Sequence, residues 1–398
     1  MWQRWQRQLD AVAAHTPASR DRYVDFLRVF AIGVVVVWHW ALSLLHWTGE
    51  RWVMPNPIHQ VPGSWLATWL LQVVPVFFIV GGYANASAWS AARRDGRGAT
   101  GYLAVRLRRL LLPVGVFVAV WVSVEVAAHL VVPGYPGVLT YAPIVFTPLW
   151  FVLAYVWVVL LAPLTASAHA RARWLAIGAL AAAVAACDVG RFAGGVALLG
   201  WVNTALVWVF IHQLGYFYRD RFGRRPAGEP AAGDRRTGAV LAATGVLLLA
   251  GLTALPAYPS SMVATVGQER SNILPTTATI ASLAVLQLGV IMLVRAPQPT
   301  RDRRPAVWRP VLAANTVILT IFLWHMTALL VVLAGLRALD VALPAEPTVA
   351  WWLQRPLWVL GPAVVLAGLI AVFARFEAAG RLAPPPAPPG RSGGVTSR

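Results

Sequence analysis

Tyr23-Val24-Asp25-Phe26-Leu27-Arg28-Val29-Phe30-Ala31-Ile32-Gly33-Val34-Val35-Val36-Val37-Trp38-His39-Trp40-Ala41-Leu42-Ser43-Leu44-Leu45-His46 is the first apolar block of the chain. It is long enough to cross a bilayer as one helix. Titratable groups inside such a span are costly and tend to mark function. Arg28 and His39 are eleven residues apart, which at 100° per residue is three turns plus about 20°, so they share one face. Asp25 lies about 60° round from Arg28, and His46 falls within about 20° of His39. One helix therefore carries a polar stripe of Asp25, Arg28, His39 and His46. At 1.5 Å per residue Arg28 and His39 are roughly 16 Å apart along the axis. With Arg28 at a membrane surface, His39 is expected near mid-membrane.

The rest of the chain follows the same pattern. It has 398 residues, of which 58% are hydrophobic and 12% charged, the composition of a polytopic membrane protein. Apolar spans read at 23–46, 64–91, 106–132, 148–166, 173–188, 195–218, 237–257, 276–296, 310–336 and 351–376, so the expected fold is an all-α polytopic membrane bundle of about ten transmembrane helices. All 33 basic side chains are Arg, which excludes lysine Schiff-base chemistry. Single Cys187 excludes an intramolecular disulfide and a multi-Cys metal site, and no metal site is expected. The net charge of +18 could suggest nucleic acid, but the arginines fall in alternate loops. With both termini inside, 27 of the 33 lie in cytoplasmic segments and five in outer loops. That predicts a multi-pass plasma-membrane protein with cytoplasmic N- and C-termini, no nucleic-acid partner and no cleavable signal peptide. Residues 1–22 read as a cytoplasmic interfacial helix with Trp2, Trp5, Leu9 and Val12 on one face. Residues 23–380 read as the membrane domain, and 381–398 as a disordered Pro/Gly-rich cytoplasmic tail.

Several residues can carry chemistry. His39 is a candidate general base, with a helix-packing histidine as the alternative. Arg28 either snorkels to the surface or pairs with Asp25 and presents its fork to an anion. Arg106 and Arg109 share a face at the start of the third span, as topology signal or as a phosphate site. Gly81, Gly82 and Tyr83 on the second span allow close approach of a helix or a ligand. Glu125 and His129, four apart, read first as a mutually satisfied polar pair; such a pair could also relay protons, meet substrate or bind metal, though two ligands are too few for a metal site. Ser261, Asn272 and His325 are further polar groups for an acceptor pocket.

These residues resemble the acyltransferase-3 family of integral-membrane acyltransferases over most of the chain. Asp25, Arg28 and His39 match its leading element in spacing and type. Phe77-Phe78-Ile79-Val80-Gly81-Gly82-Tyr83 matches a second element, with Gly81 where the family has Ser. Arg106, Arg109 and Pro113 match a third. Trp150-Phe151-Val152-Leu153, Ser271-Asn272 and Leu323-Trp324-His325-Met326 look like an actinobacterial-type branch. The resemblance implies transfer of an acyl group, acetyl or another short acyl, from cytosolic acyl-CoA to a hydroxyl of a carbohydrate, cell-envelope or secondary-metabolite acceptor. Acyl-CoA would be a co-substrate, with no permanently bound cofactor. Arg28, Arg106, Arg109, Gly81, Gly82 and Tyr83 would bind it, His39 would deprotonate the acceptor, and Asp25 would orient Arg28. A transporter or lipid flippase with the stripe lining its path, and a transmembrane N-acetyltransferase acting on an amino sugar, are the alternative readings.

Overall fold

The computed structural model describes residues 21–223, 232–265, 268–295, 305–341, 343–344 and 346–382. The expected interfacial helix and tail lie outside these residues, apart from Asp21, Arg22, Arg381 and Leu382. The chain is a bundle of helices, with one two-stranded hairpin among the described residues. Among the described residues, eight helices are long and apolar enough to cross a membrane. The fourth and fifth expected spans are two arms of one of them, Thr147–Phe192, which breaks at Ala172 (φ −150°, ψ 61°). A shorter apolar helix, Ala278–Val294, supplies the eighth span. Counting the arms separately restores the ten apolar rods read from the sequence.

Helix α1 (Arg22–Ala41) begins at Asp21, whose carboxylate accepts from the backbone N–H groups of Tyr23 (3.1 Å) and Val24 (3.4 Å). Arg295, just past Ala278–Val294, donates to the same carboxylate at 2.8 Å and also bonds the Tyr218 hydroxyl. This contact ties the start of α1 to the ends of two other helices. At the far end α1 stops at Ala41, five residues short of the expected limit. Leu44 and Leu45 remain buried in non-helical backbone, and β1 (His46–Trp47) pairs antiparallel with β2 (Trp52–Val53). Gly49, at φ +101°, makes the turn between them. His46 thus leaves the helical stripe, and His39 lies in the last turn of α1.

The second expected span divides into α2 (Trp65–Leu71) and α3 (Val74–Arg94). Pro75 in the first turn of α3 has no N–H to leave unpaired there. Helix α4 (Ala99–Val131) is followed by the short α5 (Val138–Tyr141), and α6 is the broken Thr147–Phe192. Helix α7 (Leu198–Phe222) crosses α3 at a Gly82–Gly215 contact. A Cβ on Gly82 would collide with the His212 carbonyl, and one on Gly215 with the Ile79 carbonyl, so this crossing requires glycine on both sides. Helices α8 (Ala232–Thr253) and α9 (Ala278–Val294) follow.

The ninth span also divides, into α10 (Pro305–Thr316) and α11 (Ile318–Ala338). After α12 (Val349–Leu353), α13 (Arg355–Leu382) sends Glu377 into the α10–α11 break. That carboxylate accepts from the Thr320 N–H and hydroxyl, each at 2.8 Å, and Arg381 donates to it at 2.7 Å. An acidic side chain here satisfies orphan donors at the start of α11, which carries His325.

Candidate active site

The last turn of α1 and the middle of α11 meet through two imidazoles. His39 Nδ1 lies 2.9 Å from His325 Nε2, and the rings are nearly parallel, 13° apart with centroids at 5.1 Å. The Trp40 indole N–H donates to the His325 carbonyl at 3.0 Å, fixing the register of the two helices. His325 is fully buried.

The partners decide where the protons sit. His325 Nδ1 is 2.6 Å from the Phe322 carbonyl, which can only accept, so Nδ1 carries the hydrogen. With both rings neutral, His325 Nε2 then presents a lone pair, and His39 must donate to it from Nδ1. The His39 Nε2 is left with its lone pair, and no described residue bonds it. A ring oriented through one nitrogen with a lone pair on the other is what a general base needs.

His39 and His325 line a cavity of about 280 Å³. Its inner floor is Ala31, Ile32 and Val35 of α1, the same face that carries Arg28 one turn further down. Trp38, Phe77, Trp150, Phe151 and Phe322 form aromatic walls, and Met54, Asn56, Val263 and Ala264 lie over it from the loops at the opposite end.

A family model described as an acyltransferase domain, that of the acyltransferase-3 family, matches residues 21–374. The chain belongs to this family. No curated protein and no solved structure matches it. The protein is therefore a multi-pass membrane acyltransferase, which sets aside the transporter reading of the polar stripe.

In this acyltransferase the residues singled out in the sequence separate by location. Asp25 is buried and Arg28 half-buried at the arginine-rich end, both engaged by neighbours. The Asn315 side chain donates to the Asp25 carbonyl at 3.0 Å, linking this turn of α1 to α10. Arg106 points inward from α4 with its Nε buried and unbonded, whereas Arg109 is exposed beside Gly380 of α13. Gly82 has a structural duty at the α3–α7 crossing, and a Cβ on Gly81 would press on the Tyr155 ring at 2.7 Å. Tyr83 packs edge-on against Tyr218, with centroids 6.0 Å apart.

Glu125 and His129 do not line the cavity. Glu125 accepts from the Val138 N–H at 2.9 Å and from the Tyr135 hydroxyl at 3.3 Å, closing the loop after α4. Burial first, and then the Glu125 charge, raises the Tyr135 phenol above its ordinary value. Ser261 and Asn272 act at one remove. Asn272 donates to the carbonyls of Pro259 (2.6 Å) and Ser261 (2.9 Å), and the Ser261 hydroxyl bonds the Val263 carbonyl (3.0 Å). Together they hold the loop whose Val263 and Ala264 cover the cavity.

Sequence reasoning found His39 and His325 separately but not their contact, since 286 residues separate them. It also missed the aromatic walls and Ser43 as cavity-lining groups. The Trp150-Phe151 and Leu323-Trp324-His325 segments were the available signal.

Proposed function

We propose that the protein transfers an acyl group from acyl-CoA to a hydroxyl, with His39 Nε2 as general base and His325 as the residue that positions it. The observation that carries this reading is the chain from the Phe322 carbonyl through His325 to His39, which leaves one lone pair on a histidine that lines the cavity. The acceptor hydroxyl gives its proton to His39 Nε2 as its oxygen attacks the thioester carbonyl. The carbon–oxygen bond forms, the carbon–sulfur bond breaks, and the proton passes from His39 to the departing thiolate to give the CoA thiol. The His325 bond keeps the lone pair aimed and stabilises the imidazolium that forms, the role an orienting carboxylate plays in a catalytic triad.

The donor enters from the arginine-rich end, which we assign to the cytoplasmic side on the strength of the arginine distribution. Arg106 and Arg109 bind the CoA phosphates, and the pantetheine arm passes Arg28 to bring the thioester to the cavity floor at Ala31 and Ile32. Purified protein incubated with labelled acetyl-CoA tests this. Replacing His39 by Ala is expected to lower label transfer and CoA release by about 10²- to 10⁴-fold. Arg106→Ala with Arg109→Ala is expected to weaken CoA binding by about tenfold or more. A His39→Ala protein as active as the wild type overturns the assignment of the base. Unchanged CoA affinity returns the two arginines to topology alone.

A further inference from the structure

The cavity at His39 has an uneven supply of polar groups, and this bears on which acceptor it takes. Of its 22 lining residues, none is Asp, Glu or Arg. Its two amide side chains each spend one donor and one acceptor on backbone. Asn56 donates to the Ala264 carbonyl at 2.5 Å and accepts from the Ile58 N–H at 3.2 Å. Gln72 reaches the Met262 carbonyl and the Val74 N–H, each at 3.4 Å. Both ring nitrogens of His325 are used as well. What remains for a ligand is the His39 lone pair, the Ser43 and Thr147 hydroxyls, the indole N–H groups of Trp38 and Trp150, and the second N–H and lone pair of each amide. The rest of the wall is flat aromatic or aliphatic surface.

A hexose brings four or five hydroxyls, each of which needs a partner on leaving water. Every unmatched one costs about 1–3 kcal/mol. Sites that take sugars meet this demand with carboxylates and several free amides; this cavity's described lining has no carboxylate, and its two amides are each half used. An acceptor with one hydroxyl on an apolar ring body makes no such demand, and the Trp38, Phe77, Trp150, Phe151 and Phe322 rings offer it stacking surface. The volume of about 280 Å³ lies below the range of roughly 300–1,000 Å³ common for drug-sized ligands. Sharing it with a short acyl group leaves room for one or two rings.

We infer that the acceptor enters this cavity as an apolar, aromatic or alicyclic body bearing a single reactive hydroxyl, and not as an unmodified sugar. The inference rests on the acyltransfer reading above. The chemistry is the same ester formation: the alcohol oxygen takes the acyl carbon from sulfur, and its proton ends on the CoA thiol.

The experiment uses the purified full chain in lipid nanodiscs with acetyl-CoA. Probe acceptors are 2-phenylethanol and 2-(2-naphthyl)ethanol on one side, glucose and methyl β-glucoside on the other. CoA release and ester formation are followed, and acetyl-CoA hydrolysis without acceptor serves as the baseline. Expected are acetyl esters of the aromatic alcohols, absent in His39→Ala, with kcat/KM at least tenfold above either sugar. Replacing Val35 by Trp, which fills the cavity floor, is expected to raise KM for the naphthyl alcohol more than for the phenyl alcohol. Sugars accepted as well as or better than the alcohols overturn this inference and leave the acyltransfer reading standing. Aromatic alcohols that neither accept acetyl nor inhibit His39-dependent hydrolysis also overturn it. No His39-dependent CoA release under any condition overturns the acyltransfer reading instead.

Discussion

Two histidine-centred side-chain contacts join helices in the interior of this bundle, and they differ in what surrounds them. His39 and His325 join α1 to α11 at 2.9 Å and line a cavity. His212 and Asn85 join α7 to α3, also at 2.9 Å, but both are only 1% exposed and neither lines a described cavity. They lie at the Gly82–Gly215 crossing, where backbone meets backbone. The hydrogen-bond length is the same in both pairs. The difference lies in the surroundings: the first pair borders a cavity, and the second is enclosed by packed helices. A buried histidine therefore reads as chemistry only where its lone pair meets space.

This contrast can be broken most sharply by exchanging the consequences of mutation. His39→Ala is expected to lower kcat by about 10²- to 10⁴-fold with little change in melting temperature, measured by CoA release and by thermal unfolding in detergent. His212→Ala should do the reverse. It leaves the Asn85 amide without its partner, a loss of about 1–3 kcal/mol in stability, while kcat per folded molecule stays within a few-fold of wild type. A His212→Ala protein that is stable but inactive would erase the distinction.

The glycine crossing sharpens the same comparison. Gly82→Ala places a methyl against the His212 carbonyl, and an overpacked contact of this kind costs about 1–3 kcal/mol. The unfolding midpoint should fall, and CoA affinity in the folded fraction should hold. Loss of CoA binding with unchanged stability would instead make Gly82 a ligand contact. The smallest effect is expected at Glu125→Gln, which weakens the cap on α5 by about 1 kcal/mol and leaves transfer unaltered. An activity loss there would bring the loop after α4 into the reaction.

Much of the fold was legible because membrane spans announce themselves by length and apolarity. The places where the reading slipped have a common physical origin. Trp40-Ala41-Leu42-Ser43-Leu44-Leu45 is apolar but for Ser43 and has no Gly or Pro, so nothing local distinguishes the end of α1 from its continuation. What ends the helix is tertiary: Leu44 and Leu45 are buried as non-helical chain, and the Leu44 N–H finds the Pro55 carbonyl at 2.7 Å. The division at Ala172 was legible as the gap between the spans 148–166 and 173–188; the sequence did not show that the two arms meet there without a loop. At the site, periodicity along one helix placed Arg28 and His39 on a common face, and the cavity floor of Ala31, Ile32 and Val35 continues that face between them. Periodicity cannot show what a neighbouring helix contributes. The partner of His39, the proton positions that follow from it and the aromatic walls all come from other segments of the chain. Glu125 and His129 show the converse: a conspicuous i, i+4 pair lies away from the cavity because spacing says nothing about which side of a helix faces space.

The central claim is that His39 acts through Nε2 because His325 takes the hydrogen on Nδ1. Single-turnover acyl transfer in His325→Gln and His325→Leu tests it most directly. A glutamine side-chain oxygen can still accept from His39 Nδ1, and leucine cannot. Leucine is expected to slow the transfer step by roughly 10- to 100-fold, the usual cost of losing an orienting partner, without altering CoA affinity. Glutamine should recover most of that loss. Equal rates in the two variants, or a leucine variant as fast as wild type, would contradict the account.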